Sequence, residues 1–184
     1  TEPMPSMPLY FWNDRGGQRY HDSYFDHYPG VWRHGDWVCF RNNGGVVISG
    51  RSDSTLNRLG VRIGTSEVYR AVEAIPEVVD SLVIGLEQPG GSYYMPLFVV
   101  LRDEVELDDA LRKRISDEIR SRFTPRHVPD RIIQVPAIPR TLNGKKLEVP
   151  IKRILLGHAP DSVVNRGSLT NPDALDFFLD MAHV

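Results

Sequence analysis

Residues 50–64 read GRSDSTLNRLGVRIG, and the chain changes character across them. Upstream, WVCFRNNGGVVISG (37–50) sets Asn-Asn-Gly-Gly between two apolar runs, the pattern of a β-hairpin. LYFWN (9–13) reads as a further short strand, so the first third is expected to be β-rich. Between them, YHDSYFDHYPGVWRHGD is crowded with aromatics and turn-formers. It is too short and irregular to build a core and reads as the edge of something larger.

Downstream the pattern is mixed. A helix is expected over 65–75, opening with Thr65, Ser66 and Glu67, aligning Val68, Val72 and Ile75 on one face, and stopped by Pro76. VDSLVIGL (79–86) and MPLFVVLR (95–102) are strand-sized and flank a Gly- and Pro-containing turn at 88–92. Leu107, Leu111, Ile115 and Ile119 recur at four-residue spacing as one helix face. Residues 131–135 form a third strand candidate, followed by a turn at Asn143-Gly144, a helix over about 148–156 and a capped helix at 172–181. The expected fold class is α+β: a small domain with a central, mainly antiparallel sheet flanked by helices. The polar stretch 50–59 is its boundary and a natural hinge.

Composition narrows the chemistry. The chain has 184 residues, 41% of them hydrophobic, and 22 basic against 24 acidic side chains leave a net charge of -2. No global field selects for nucleic acid or an anionic membrane, so any anion is held by local clusters. Cys39 is the only cysteine, and no His/Cys cluster has zinc spacing, which favours a reducing compartment without a structural metal. Cytoplasm is the expected location. TEPMPSMPLYFW has neither a basic segment nor a continuous apolar one, so no secretory signal is expected, and the apolar runs are too short to cross a bilayer.

Three clusters put charge beside glycine: Gly35-Asp36, the 50–64 stretch, and PRTLNGKK at 139–146. A lysine after Asn-Gly either decorates a solvated turn or is presented to phosphate or carboxylate as a flexible point charge. The rings of Tyr24, Phe25, Tyr28 and Trp32 read as packing, since no basic stripe is interleaved with them.

The order and spacing of the three clusters resemble the adenylate-forming superfamily of acyl-CoA synthetases, luciferases and peptide synthetases over almost the whole chain. The resemblance implies that Asp36, in His34-Gly35-Asp36, and Arg51, fifteen positions on, meet the ribose hydroxyls of ATP. It makes Asp53 the pivot of a domain rotation, brings Arg62 to the nucleotide phosphate, and gives Gly60 to the passage of the pantetheine arm of coenzyme A. Lys145 becomes the catalytic lysine of adenylation, with Lys146 a weaker candidate, and Arg120 meets the 3′-phosphate of coenzyme A. Taken alone, Asp36 also reads as a strand-entry cap, Arg62 as a surface strand residue, Gly60 as a turn glycine and Arg120 as an exposed helix charge.

Several stretches, among them YFDHYPGVWRHGDW, TLNGKKLEVPIK and LTNPDALDFF, resemble the branch that activates acetoacetate. Asn57, Leu142 and Glu148 depart from the acetate-activating branch. The implied activity is a ligase using acetoacetate, ATP (with Mg2+) and coenzyme A, with AMP as a product. Alternatives are a fragment of an acetyl- or other short-chain acyl-CoA ligase, or a non-catalytic binding module. The implied organisation is 1–52 as the edge of a large adenylation domain, 53–160 as the mobile C-terminal domain and 161–184 as a tail. With no Ser/Thr/Gly-rich phosphate loop, the chain is expected to need an N-terminal domain as partner and to form no adenylate alone. No metal ligand is assigned.

Overall fold

The computed structural model describes residues 4–52, 54–58, 60–88 and 90–182. They form two compact units, Thr1–Asp36 and Trp37–Val184. In the first, the Asp14 carboxylate accepts the backbone N–H groups of Arg19 at 3.0 Å and Tyr20 at 2.8 Å, satisfying the start of a short helix, α1 (Gln18–Tyr24). Tyr24 and Trp32 stack with centroids 3.8 Å apart, and Phe11 meets Tyr20 edge-on at 5.5 Å. Tyr24, Phe25 and Trp32 pack together as expected, whereas Tyr28 is exposed and its ring meets His27 edge-on at 4.6 Å.

The strand expected at 9–13 is absent. Trp12 and Asn13 lie in a turn, Asn13 with φ of 55°, and Phe11 folds onto α1 instead of extending along a ladder. The cap at Asp14 and the ring cluster offset what an unpaired extended segment would have gained. For the same reason α1 itself, which the crowded aromatic segment concealed, is a helix.

The expected hairpin is formed by β1 (Asp36–Phe40), of which Trp37 onward belongs to the second unit, and β2 (Val46–Arg51). Arg41 donates its N–H to the Gly45 carbonyl at 2.8 Å, and Gly44 turns the chain at φ of 81°. A second, smaller antiparallel hairpin follows, β3 (Leu56–Arg58) and β4 (Val61–Ile63), with Asn57 opposite Arg62. Next comes α2 (Thr65–Val72), where the Gly64 N–H donates to Glu67 Oε2 at 3.3 Å. It buries Val68, Ala71 and Val72 and ends sooner than expected, yet Ile75 beyond it is still buried.

The three-stranded sheet is built from β5 (Val78–Val83), then, past a two-residue hairpin of β6 (Leu86–Glu87) and β7 (Tyr93–Tyr94), β8 (Pro96–Leu101) and β9 (Arg131–Gln134). β8 is central, antiparallel to β5 and parallel to β9. The crossover from β8 to β9 carries α3 (Asp109–Arg122), capped where Asp108 Oδ1 accepts the Leu111 N–H at 2.7 Å. After β9 come α4 (Glu148–Leu155), α5 (Pro160–Val163) and α6 (Asp176–Ala182), the last preceded by a 3₁₀ turn at Pro172–Leu175.

Why β8 is apolar at almost every position is now plain: both faces of the sheet are covered. Leu97 and Val99 point into one cluster with Val68, Val72, Ile115 and Ile119 of α2 and α3. Phe98 points into the other with Ile151, Ile154, Leu175 and Phe178 of α4 and the tail. Each such buried side chain contributes about 1.5–3 kcal/mol. The fold is α+β, with antiparallel pairings predominating and helices on both faces.

Candidate functional site

PRTLNGKK folds as a tight hairpin. Arg140 pairs with Lys146, the Gly144 N–H donates to the Thr141 carbonyl at 2.7 Å, and Gly144 supplies the φ of 75° that this turn requires. Lys145 lies just past the turn, its N–H held by Thr141 Oγ1 at 3.1 Å. Its side chain is exposed, and its ammonium has no hydrogen-bond or ion-pair partner among the described residues.

Lys146 behaves oppositely. Its ammonium meets Glu73 Oε1 at 2.5 Å and Asp80 Oδ1 at 3.0 Å, donates to the Ser81 carbonyl at 2.6 Å, and lies 3.8 Å from the centroid of the Tyr69 ring. Asp80 Oδ2 accepts from Arg140 Nη2 at 2.7 Å, and Arg140 Nη1 reaches back to the Gly144 carbonyl at 2.6 Å. Both strands of the hairpin are therefore fastened to one carboxylate on β5. Burial pushes the Asp80 carboxyl up, but hydrogen bonds from Arg140 and Lys146, with the charge of Lys146, outweigh it and hold it below the usual carboxylate range. Beneath them, Tyr69 donates its hydroxyl to Glu148 Oε1 at 2.6 Å. Burial, then the charge of Glu148, push that phenol well above its ordinary value, so it stays a donor.

The other expected residues lie elsewhere. Arg62, on β4, is exposed and sets its guanidinium 4.1 Å from the centroid of the Trp37 ring. Gly60, in the β3–β4 turn, has φ of 79°, and nothing lies within 4 Å of where a Cβ would stand. Arg120 is on the exposed side of α3, 3.0 Å from Asp117. Asp36 is the first residue of β1 and contacts His34 through its carboxylate; Arg51 is the last residue of β2, and its carbonyl accepts from Thr55. Asp53 lies outside the described residues. Leu56 and Ile63, which root the Gly60 hairpin, belong to the core cluster of α2 and α3, whereas Ile138 and Leu147, which root the Lys145 hairpin, belong to the other.

Sequence reasoning missed Glu73, Asp80 and Tyr69, because they lie 65 or more positions from Lys146 and carry no local pattern. Among the described residues, no three His, Cys, Asp or Glu side chains gather as a metal site, and no helix is long and apolar enough to cross a membrane.

Residues 67–145, from the first turn of α2 to Lys145, match the AMP-binding enzyme C-terminal domain. The chain is similar to acetoacetyl-CoA synthetases over nearly its whole length. It is 47% identical over 178 residues to the acetoacetyl-coenzyme A synthetase of Rhizobium meliloti, covering 97% of this chain and 27% of that protein. It is 45% identical over 178 residues to the acetoacetyl-CoA synthetase of Xenopus tropicalis, covering 96% and 26%. The solved acetoacetyl-CoA synthetase from Streptomyces lividans superposes with a TM-score of 0.90 at 57% identity, covering 98% of this chain and 27% of that one. The chain thus spans about a quarter of the length of the relatives it matches.

Proposed function

We propose that this chain is the C-terminal part of an ATP-dependent acid–thiol ligase that converts acetoacetate, ATP and coenzyme A into acetoacetyl-CoA, AMP and pyrophosphate. The observation that carries this reading is a Lys145 ammonium with no partner among the described residues, in a hairpin whose other cations, Arg140 and Lys146, are tied down. In the first half-reaction a carboxylate oxygen attacks the α-phosphorus of ATP, and the bond to the pyrophosphate oxygen breaks. Lys145 orients the carboxylate and offsets charge on the α-phosphate oxygens, work that needs a mobile point charge and no covalent chemistry. In the second, the thiol sulfur of coenzyme A attacks the acyl carbonyl, AMP leaves with the electrons of the C–O bond, and the thiol proton passes to solvent.

In this reading Asp36 and Arg51 bind the ribose hydroxyls, a carboxylate and a guanidinium both matching a vicinal diol. Arg62 approaches the phosphate, Gly60 leaves space for pantetheine, and Arg120 meets the 3′-phosphate of coenzyme A. Mg2+ enters with ATP, and the cytoplasm is the site of action. The domain divides as 1–52, 53–160 and 161–184, rotating about Asp53 between half-reactions. Two facts support a rotating domain with an N-terminal partner. The Lys145 and Gly60 hairpins are rooted in different core clusters, and Phe40 and Ile48 on β1 and β2 are 80% and 65% exposed.

The test mixes this chain with a separately produced N-terminal adenylation domain and follows pyrophosphate release with acetoacetate, acetate and longer acids. Release with acetoacetate that Lys145→Ala abolishes is the expected result, with none from this chain alone. No release from a confirmed complex would instead favour a non-catalytic binding module, and a preference for acetate would reassign the substrate.

A further inference from the structure

The Lys145 hairpin is too small to hold its own shape: it has a four-residue turn and a single bridge between Arg140 and Lys146. Isolated two-stranded hairpins are marginal in water. Asp80 fastens its inner side, and its outer side is occupied by residues 165–171 of the tail. There Leu169 bridges to Thr141, the Leu142 N–H donates to the Ser168 carbonyl at 3.0 Å, and the Thr170 N–H donates to the Arg140 carbonyl at 3.0 Å. Asn171 closes the arrangement: its Oδ1 accepts the Arg140 N–H at 2.9 Å, and its Nδ2 donates to the Ile138 carbonyl at 2.9 Å. The segment is itself held, because Leu169 within it and Ala174, Leu175 and Phe178 beyond its C-terminal end are buried. The family match stops at Lys145, so every one of these outer contacts comes from sequence beyond it.

We infer that residues 165–171 are a strap that positions Lys145, and that Asn171 is its principal positioning residue, serving adenylation and not thiol transfer. This rests on the role proposed above for Lys145. The physical reason for the split is that the strap touches the lysine hairpin and makes no contact with the Gly60 hairpin among the hydrogen bonds of the described residues. Loss of Asn171 leaves the Arg140 N–H and the Ile138 carbonyl without their partners, so the hairpin samples other shapes while the lysine remains present.

Two measurements test this. In the 184-residue chain, amide hydrogen exchange at Arg140 and Leu142 should quicken in Asn171→Ala, with the thermal midpoint shifted by only a few degrees. In the complex with the N-terminal domain, Asn171→Ala should lower kcat for acid-dependent pyrophosphate exchange about tenfold to a hundredfold, with KM for the acid little changed. Thioester formation from supplied acyl-adenylate should be unaffected. Asn171→Asp, which keeps the acceptor for the Arg140 N–H, should recover part of the loss. Unchanged exchange at Arg140 and Leu142, or equal losses in both half-reactions, would overturn the strap. Lys145→Ala is run alongside: full adenylation in that variant would overturn the role of the lysine, whereas its loss there with Asn171→Ala fully active would overturn the strap alone.

Discussion

Asp80 and Lys146 meet at 3.0 Å across 66 positions of sequence, and the same carboxylate takes Arg140 on its other oxygen. Two adjacent lysines at the end of one hairpin are thereby given different fates. Successive side chains on extended backbone point to opposite sides, so fastening Lys146 inward turns Lys145 outward. A neutral side chain at 146 would leave the hairpin's hold on β5 to Arg140 alone.

Asp80→Asn should therefore cost about 2 kcal/mol, the range for losing hydrogen bonds to charged groups. In a chain of this size that lowers the thermal midpoint by roughly 4–8 °C. The folded Asp80 carboxyl lies below its ordinary value, so its contribution is present above about pH 3.9 and is lost as pH falls through the folded value. Denaturant melts between pH 2 and 7 should show the difference between wild type and Asp80→Asn shrinking at the acid end. A constant gap would mean the carboxylate charge is not what fastens the hairpin.

The paired lysines make a sharper contrast. Lys146→Met should destabilise by about 1.5–3 kcal/mol, because it leaves Glu73, Asp80 and the Ser81 carbonyl short of a donor at a site only 14% exposed. Lys145→Met should stay within about 0.5 kcal/mol of wild type, as for an exposed side chain with no partner among the described residues. Urea titrations of both variants would decide it. Similar losses would mean that Lys145 has structural partners in solution.

Much of this was legible in the sequence, and the failures have a physical pattern. Apolar periodicity located α2, α3, β5 and β8, because each buries a regular face, and Asn-Asn-Gly-Gly located the first hairpin through its turn chemistry. The strand expected at 9–13 failed because apolar residues there pack against α1, a choice made by contacts with Tyr20 and Tyr24 that alternation cannot reveal. At the candidate site, Lys145 and Gly60 were singled out by motif resemblance. The groups that decide how Lys145 is presented, Asp80 and Asn171, were not, since their pairings with Arg140 span 60 and 31 positions.

Gly60→Ala separates backbone strain from steric crowding. Nothing lies within 4 Å of the added methyl, so no clash arises, but φ of 79° charges an L-residue about 1–2 kcal/mol. The expected outcome is that modest loss of stability with β3–β4 still paired, as read from amide exchange at Asn57 and Arg62. Wild-type stability would show that the turn relaxes to negative φ.

The tail beyond residue 170 is the last place where sequence distance misleads about importance. Phe178 is fully buried, edge-on to Phe98 with centroids 4.9 Å apart, in the same cluster as Ile138 and Leu147, which flank the lysine hairpin. Phe178→Ala removes a large ring from a closed space and should cost about 3–5 kcal/mol, while the neighbouring, half-buried Phe177→Ala should cost clearly less. Because Phe178 also holds the end of the tail, its loss should quicken amide exchange at Leu142 as well as within α6. Calorimetry with site-resolved exchange checks both. A tail that melts without disturbing Leu142 would show that the hairpin draws its order from Asp80 alone.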